Sequence, residues 1–381
     1  MKILLRIHLY LGLCAGIFLL ILGITGAITA FEEDTELWLH RQLHYVRPGG
    51  QALSEGELIE RVNQKLAPAR VVFMKAYPQT GRSRVMLMIE GKASVPVTET
   101  SIGNWRNWVA RKRVAVFVNP YDGSIIGRYT DLPQNQKILA AIHQFHMRLA
   151  PDPRSWGAIS KFTREVVDYA GLALCLLAPT GVILWWRTRR ARIKWSGSWF
   201  RVCFDVHNAA GIYAAIFLFA AALTGVVIGF NSVTQAIYTV TGSKQIWHSG
   251  GPDSTPVEGG TPIGVDRAVQ IAREQIPEAA LDGITLPRTP KQSYIVLMRV
   301  PEEVTDVVHS SVVVDQFSGR PLQVLNFRKD SLAYRVIRMN RAIHTGDLFG
   351  TFGHVVFALS SVVLVAMVAT GVVIWWKKLA I

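Results

Sequence analysis

The sequence predicts an α-helical membrane bundle of four spanning segments that carries two small α+β domains outside the bilayer. Three observations predict it: four long apolar runs, basic residues gathered at one end of those runs, and the same motifs recurring in both halves of the chain. Half of the 381 residues are hydrophobic and only 18% are charged, against about a quarter charged in ordinary soluble domains. That balance excludes a plain cytosolic enzyme. The excess of 41 basic over 27 acidic residues would suit a nucleic-acid binder, but its densest part, Arg187, Arg189, Arg190, Arg192, Lys194 and Arg201, adjoins an apolar run. Basic residues beside a spanning helix mark the cytoplasmic side of a membrane. The expected partner there is membrane lipid, and no nucleic acid. Cys14, Cys175 and Cys203 lie in or beside apolar runs, which leaves no disulfide framework and no CxxC metal clip.

A spanning helix needs about 20 mostly apolar residues. The first run, Ile7–Phe31, belongs to a helix within residues 1–31. Ala27-Ile-Thr-Ala30 resembles a signal-cleavage site, but the run is longer than the usual signal core and its pattern returns inside the chain. It is read as a permanent helix. Residues 32–165 make the first outer domain. There Leu53–Leu66 reads as an amphipathic helix opened by Ser54, with Glu57 completing a capping box. Strand-like alternation follows at 69–77, 84–90 and 113–118, and a turn at Pro120-Tyr-Asp-Gly123 closes a hairpin.

The second run, Val166–Trp186, has Asp168 near its start and Pro179 near its end. Residues 187–205 are the basic cytoplasmic loop, and Val206–Phe230 is the third run. Residues 231–351 repeat the outer pattern with a helix near 265–275, strands near 293–300 and 309–315, and a turn at Ser318-Gly319. The fourth run, Val355–Trp376, falls in the last segment, 352–381, and Lys377 and Lys378 follow it. Lys2 and Arg6 precede the first run. Both termini and the basic loop are therefore expected inside, and both hydrophilic stretches outside.

The halves repeat. His8-Leu-Tyr-Leu-Gly12 is followed by Thr25-Gly26, and His207-Asn-Ala-Ala-Gly211 by Thr224-Gly225, with the same seventeen-residue step from His to Thr. The second run ends Thr180-Gly-Val-Ile-Leu-Trp185-Trp186 and the fourth ends Thr370-Gly-Val-Val-Ile-Trp375-Trp376. Asn119-Pro-Tyr-Asp-Gly123 recurs as Asp315-Gln-Phe-Ser-Gly319, and Ala141-Ile-His143 as Ala342-Ile-His344. Halves of equal topology form parallel repeats about an axis along the membrane normal. Matched residues then sit at equal depth, and single histidines become facing pairs. The outer domains hold no Ser/His/Asp set, no HExxH and no phosphate-binding glycine loop.

These outer units resemble PepSY domains, and the Thr-Gly-x-x-x-Trp-Trp endings resemble the PepSY-associated transmembrane family of iron-regulated bacterial membrane proteins. The resemblance covers nearly the whole chain and is nearest to the inner-membrane ferric-siderophore (ferrioxamine-type) reductases. It implies haem in the membrane bundle, placement in the bacterial inner membrane with two periplasmic domains, and reduction of siderophore-bound iron on the periplasmic side. Some relatives add a cytoplasmic flavin reductase domain. None follows Trp376, which leaves the electron donor open.

Polar residues within spanning helices are costly and tend to mark functional sites. His8 and His207 lie about one turn inside the cytoplasmic ends of the first and third runs, each with a glycine (Gly12, Gly211) one turn on. One such histidine could simply snorkel to the headgroups; two at matched positions point to a ligand pair. Zinc would want four close donors. Asp205 precedes His207 but is expected to face water. Two opposed imidazoles with apolar walls suit haem iron instead, whose porphyrin supplies four nitrogens. The absence of CxxCH makes the haem b-type and non-covalent. On the outer side, His143, His146, His344 and His354 gather near the mouths of the second and fourth helices. Ala-Ile-His matching pairs His344 with His143, and the family-like His-x-x-Leu spacing of His146-Met-Arg-Leu149 pairs it with His146 instead. Both pairings stay open, and His354 is a further candidate. Either gives a second haem.

His40 and His44, at i, i+4, are read as a partly exposed face, and His248 and His309 as isolated. The Trp185–Trp186 and Trp375–Trp376 pairs suit the aromatic belt. Trp105, Trp108 and Trp156, with Arg106, Arg111, Lys112 and Arg113, are candidates to line a chelate site. The expected function is thus an oxidoreductase with two b-haems and no catalytic residue beyond them, acting on a ferric siderophore, probed first as the hydroxamate type. A regulatory or binding membrane protein and a quinone-linked haem carrier are the alternatives.

Overall fold

The structure, a computed structural model, describes residues 1–77, 79–89, 114–131, 138–150, 157–189, 191–243, 251–303 and 310–379. Its helices in chain order are α1 (Lys2–Thr29), α2 (Glu32–Leu39), α3 (Arg41–His44), α4 (Glu55–Lys65), α5 (Ile138–Arg148), α6 (Gly157–Thr188), α7 (Trp199–Gly229), α8 (Asn231–Val240), α9 (Val265–Gln275), α10 (Leu332–Thr345) and α11 (Gly350–Leu379). The strands are β1 (Arg70–Lys75), β2 (Arg84–Ile89), β3 (Val114–Val118), β4 (Ile125–Arg128), β5 (Ala280–Thr285), β6 (Tyr294–Arg299), β7 (Ser310–Val314) and β8 (Pro321–Leu325). The chain divides into two compact units: Met1–Glu33, Ile138–Gly242 and Val336–Ile381 in one, Asp34–Lys137 and Ser243–Arg335 in the other.

The first unit is helical. Four of its helices, α1, α6, α7 and α11, are long and apolar enough to cross a membrane. Lipid tails offer no hydrophobic drive for helices to meet, so small residues that let backbones approach carry the packing. Ala15, Ala170, Ala173 and Ala214 fill that role here, with Leu19, Leu218 and Leu364 between them. A Cβ on Gly23 would lie 2.9 Å from the Ser361 carbonyl oxygen, so glycine sets the approach of α1 to α11. Pro179 lies inside α6 without ending it. The helix α7 starts at Trp199, within the expected loop, because the Ser198 hydroxyl caps it by accepting from the Arg201 N–H at 3.4 Å. Asp205 is buried, not water-facing as its flanking position suggested: Arg201 Nε donates to it at 2.8 Å, and the Lys194 N–H at 3.3 Å. The stretch assigned to the first outer domain also ends earlier than expected, since α5 and the start of α6 belong to the helical unit.

The second unit is one eight-stranded antiparallel sheet in the order β4-β3-β2-β1-β5-β6-β7-β8. Two separate small sheets were expected. They are joined through β1 and β5, with Phe73 opposite Thr285, Met74 opposite Ile284 and Lys75 opposite Gly283. Pairing two inner strands leaves neither with an open edge. The strand β5 escapes the sequence pattern because Asp282 and Gly283 interrupt its alternation, and both have tertiary reasons. Asp282, fully buried, accepts from Lys75 Nζ at 2.5 Å and from Arg299 at 2.7 and 3.0 Å. A Cβ at Gly283 would stand 2.8 Å from the Met74 carbonyl oxygen. One sheet face packs on α4 and α9 through Leu58, Val62, Ala268 and Val269 against Met74, Met86, Val296 and Val312. On the other, Phe73, Leu87, Phe117 and Leu297 pack with Leu43 of α3. The helix α4 starts as its capping box predicts, the Ser54 hydroxyl accepting from the Glu57 N–H at 3.2 Å.

Candidate functional site

The chemistry-bearing residues of the helical unit come together as four copies of one arrangement. His8 Nδ1 lies 2.9 Å from the Thr180 hydroxyl oxygen, and His207 Nδ1 lies 3.0 Å from that of Thr370. His146 Nδ1 lies 2.8 Å from Thr25 Oγ1, and His344 Nδ1 lies 3.0 Å from Thr224 Oγ1. Each of these threonines precedes a glycine, and that glycine faces the same ring. A Cβ would come within 3.3 Å of His8 Cε1 at Gly181, 3.2 Å of His146 Cε1 at Gly26, 3.3 Å of His344 Cε1 at Gly225 and 3.5 Å of His207 Cε1 at Gly371. At Gly26, Gly181 and Gly225 an added Cβ would crowd the ring by a few tenths of an ångström, whereas at Gly371 it would meet the ring at an ordinary packing distance.

His8 and His207 line one cavity of about 560 Å³ among α1, α6, α7 and α11. Its walls are mostly apolar and include Gly12, Gly181, Gly211 and Gly371, with Lys2 and Arg187 as cations. The volume falls within the usual range for small-molecule and cofactor sites, roughly 300–1,000 Å³.

The outer histidines separate into two kinds. His146 and His344 are partly buried. Burial, with the neighbouring His344 and His143, pushes the His146 imidazole down to about 3. Burial, with the Arg341 charge, pushes that of His344 down to about 4. Both rings are therefore neutral at physiological pH and hold a nitrogen lone pair. His143 and His354 are instead paired with carboxylates. His143 Nδ1 makes a short contact to Glu32, and His354 Nε2 lies 2.9 Å from Asp347 Oδ1 while its ring meets Phe31 edge-on at 6.0 Å.

In the sheet unit, His40 and His44 are buried, not half-exposed as their spacing suggested. His40 Nδ1 bonds Glu36 Oε1 at 2.8 Å, and the His44 ring stands edge-on to Phe117 at 5.0 Å. The core of the sheet takes up the face that was read as solvated. Among the described residues no group of three or more His, Cys, Asp or Glu is arranged to hold a bare metal ion. His248, His309, Arg190 and the candidate chelate-site residues Trp105, Trp108, Trp156, Arg106, Arg111, Lys112 and Arg113 lie outside the described residues.

The four threonines are the site residues that the sequence pattern did not assign. They stood out only as landmarks of the repeat. The signal was present as a Thr-Gly step in every apolar run, but it does not say which histidine each step meets. His8 meets Thr180 of another helix, not Thr25 of its own.

No curated protein matches the chain. The family model for the PepSY-associated TM region matches residues 5–378, which takes in all four long helices, the sheet and every histidine named above. The chain belongs to the family of proteins with a PepSY-associated transmembrane region.

Proposed function

We propose that the chain is a haem-containing reductase of the bacterial inner membrane, which passes electrons to Fe(III) held by a siderophore in the periplasm and so releases the iron as Fe(II). The observation that carries this reading is that His8 and His207 line one mostly apolar cavity. The residues fit a b-type haem. A porphyrin supplies four nitrogens and needs only two axial donors, and two histidines without a third or fourth protein ligand match that need and not the need of zinc. Gly12 and Gly211 line the cavity beside the flexible side chains of Leu177 and Met367, and Lys2 and Arg187 would give positive charge to an anionic edge. His146 and His344 are the pair we assign to a second haem. They share the Thr-Gly arrangement with the inner pair, and the rings of His143 and His354 meet Glu32 and Asp347.

Bound haem would supply one-electron transfer. The chain's own part is to hold the axial imidazoles, keep them neutral, and exclude water with the apolar lining. We read the sequence as a duplication with both termini in the cytoplasm, from the basic residues at 2, 6, 187–201 and 377–378. Hard oxygen donors hold Fe(III) far better than Fe(II), so electron delivery releases the metal without breaking the chelator, and no nucleophile or proton donor is needed. Absorbance of the purified protein tests this reading: a Soret band with sharp reduced bands is expected. A colourless protein made under full haem supply would leave a regulatory or binding role as the better account.

A further inference from the structure

The four Thr-Gly steps decide more than where each histidine lies. A threonine hydroxyl has one proton to donate. Thr25 gives its proton to the Ile21 carbonyl at 2.8 Å, Thr180 to that of Leu176 at 2.7 Å, Thr224 to that of Ala220 at 2.6 Å and Thr370 to that of Ala366 at 2.6 Å. Each is the ordinary back-bond of a helical threonine to the residue four before it. With the proton committed there, the oxygen can only accept from the histidine that approaches it. The hydrogen must then sit on Nδ1 of His8, His146, His207 and His344. For His344 a second observation agrees, because its Nδ1 also lies 3.0 Å from the Ala221 carbonyl oxygen, which can only accept.

We propose that Thr25, Thr180, Thr224 and Thr370 are positioning residues that lock the four imidazoles in the Nδ1-protonated tautomer and present Nε2, with its lone pair, to a metal centre. The inference rests on the haem reading for the identity of that centre, but the tautomer itself belongs to the chain. Ligating histidines are generally held through their other nitrogen, and loss of such a partner costs about 10–100-fold in metal affinity. The usual holder is a carboxylate or a backbone carbonyl. Here it is a neutral hydroxyl, so no buried charge is needed inside the helical bundle, where an unpaired carboxylate would be costly. The glycine that follows each threonine lies against the same ring, most closely at Gly26, Gly181 and Gly225. Each threonine serves a histidine of a different helix, with Thr180 and Thr370 serving the inner pair and Thr25 and Thr224 the outer pair.

Nitrogen-15 NMR of the full, ligand-free chain labelled at histidine, in lipid nanodiscs, reads the tautomer directly. Four rings, assigned by single His→Gln replacements, should show Nδ1 protonated and Nε2 bare. Thr180→Val, which keeps the shape and removes the hydroxyl, should turn the His8 ring to a mixture of tautomers, and Thr180→Ser should restore it. Haem titration of the same three proteins should give 10–100-fold weaker binding at the inner site for Val and near wild-type binding for Ser. Nε2-protonated rings in the unmodified chain would overturn the proposal even if no variant folded. So would a Thr180→Val protein with unchanged tautomer and unchanged haem affinity. If the rings are as expected and the unmodified chain takes up no haem, the reductase reading falls and the tautomer lock stands.

Discussion

His146 and Thr25 are 121 positions apart in the chain, yet His146 Nδ1 lies 2.8 Å from Thr25 Oγ1. The bond ties the short helix α5 to the end of α1, and it distinguishes His146 from His143 one turn earlier on the same helix. His143 turns to Glu32. Among candidate outer ligands, the Thr-Gly arrangement shared with the inner pair is what sets His146 apart from His143.

The inner pair gives the first prediction. His8→Ala and His207→Ala should each abolish the same haem, because both rings line one cavity and a bis-histidine site fails when either ligand is lost. Difference spectra of reduced and oxidised protein check this. A variant that kept the full spectrum while its counterpart lost a haem would break the pairing.

The outer pair gives a second. His344→Ala and His146→Ala should each remove the other haem, and His143→Ala should leave two haems per chain, because His146 and His344 are the outer rings that share the Thr-Gly arrangement of the inner pair. Pyridine haemochrome counts distinguish the three variants. Loss with His143 and retention with His146 would reverse the assignment.

The substrate reading yields a third. Protein reduced with dithionite without oxygen should be reoxidised by a ferric hydroxamate siderophore while a ferrous chelator captures Fe(II). The aluminium or gallium complex of the same siderophore should leave the reduced spectrum in place, since neither ion has an accessible lower state. Prompt reaction with small oxidants but none with the ferric chelate over minutes would point to a quinone-linked haem carrier instead.

The sheet junction supplies a fourth. Asp282 is fully buried between Lys75 and Arg299. Asp282→Asn leaves two cations facing a neutral amide, and breaking a buried pair by removing one partner typically costs about 3–5 kcal/mol. Arg299 keeps some exposure, so the lower end of that range is expected. Thermal denaturation in detergent, followed by circular dichroism in the β-sheet region, should show a lowered midpoint. An unchanged midpoint would mean that the β1–β5 pairing does not depend on this triad.

Much of this protein was legible in the order of its residues. Runs of about 20 apolar residues have few soluble explanations, so Lys2–Thr29, Trp199–Gly229 and Gly350–Leu379 are anticipated closely, and α6 is anticipated in spite of Pro179. Local rules also suffice for α4, whose cap lies within four residues, and for β2, β3, β6 and β7, which are short, strand-length runs rich in apolar residues. Motif spacing marked His8, His207 and His344 as exceptional in their surroundings. What local rules cannot reach is any choice between partners far apart in the chain. The fusion of two expected sheets rests on β5, where Asp282 and Gly283 make sense only opposite Lys75 and Met74. The burial of His40 and His44 follows from a core that covers them, while their spacing alone suits a surface as well. The separation of His146 from His143 likewise needs the two faces of α5 to meet Thr25 on one side and Glu32 on the other. A hydrogen bond is short-ranged and directional, so its partner is selected by the packing of helices and not by distance along the sequence.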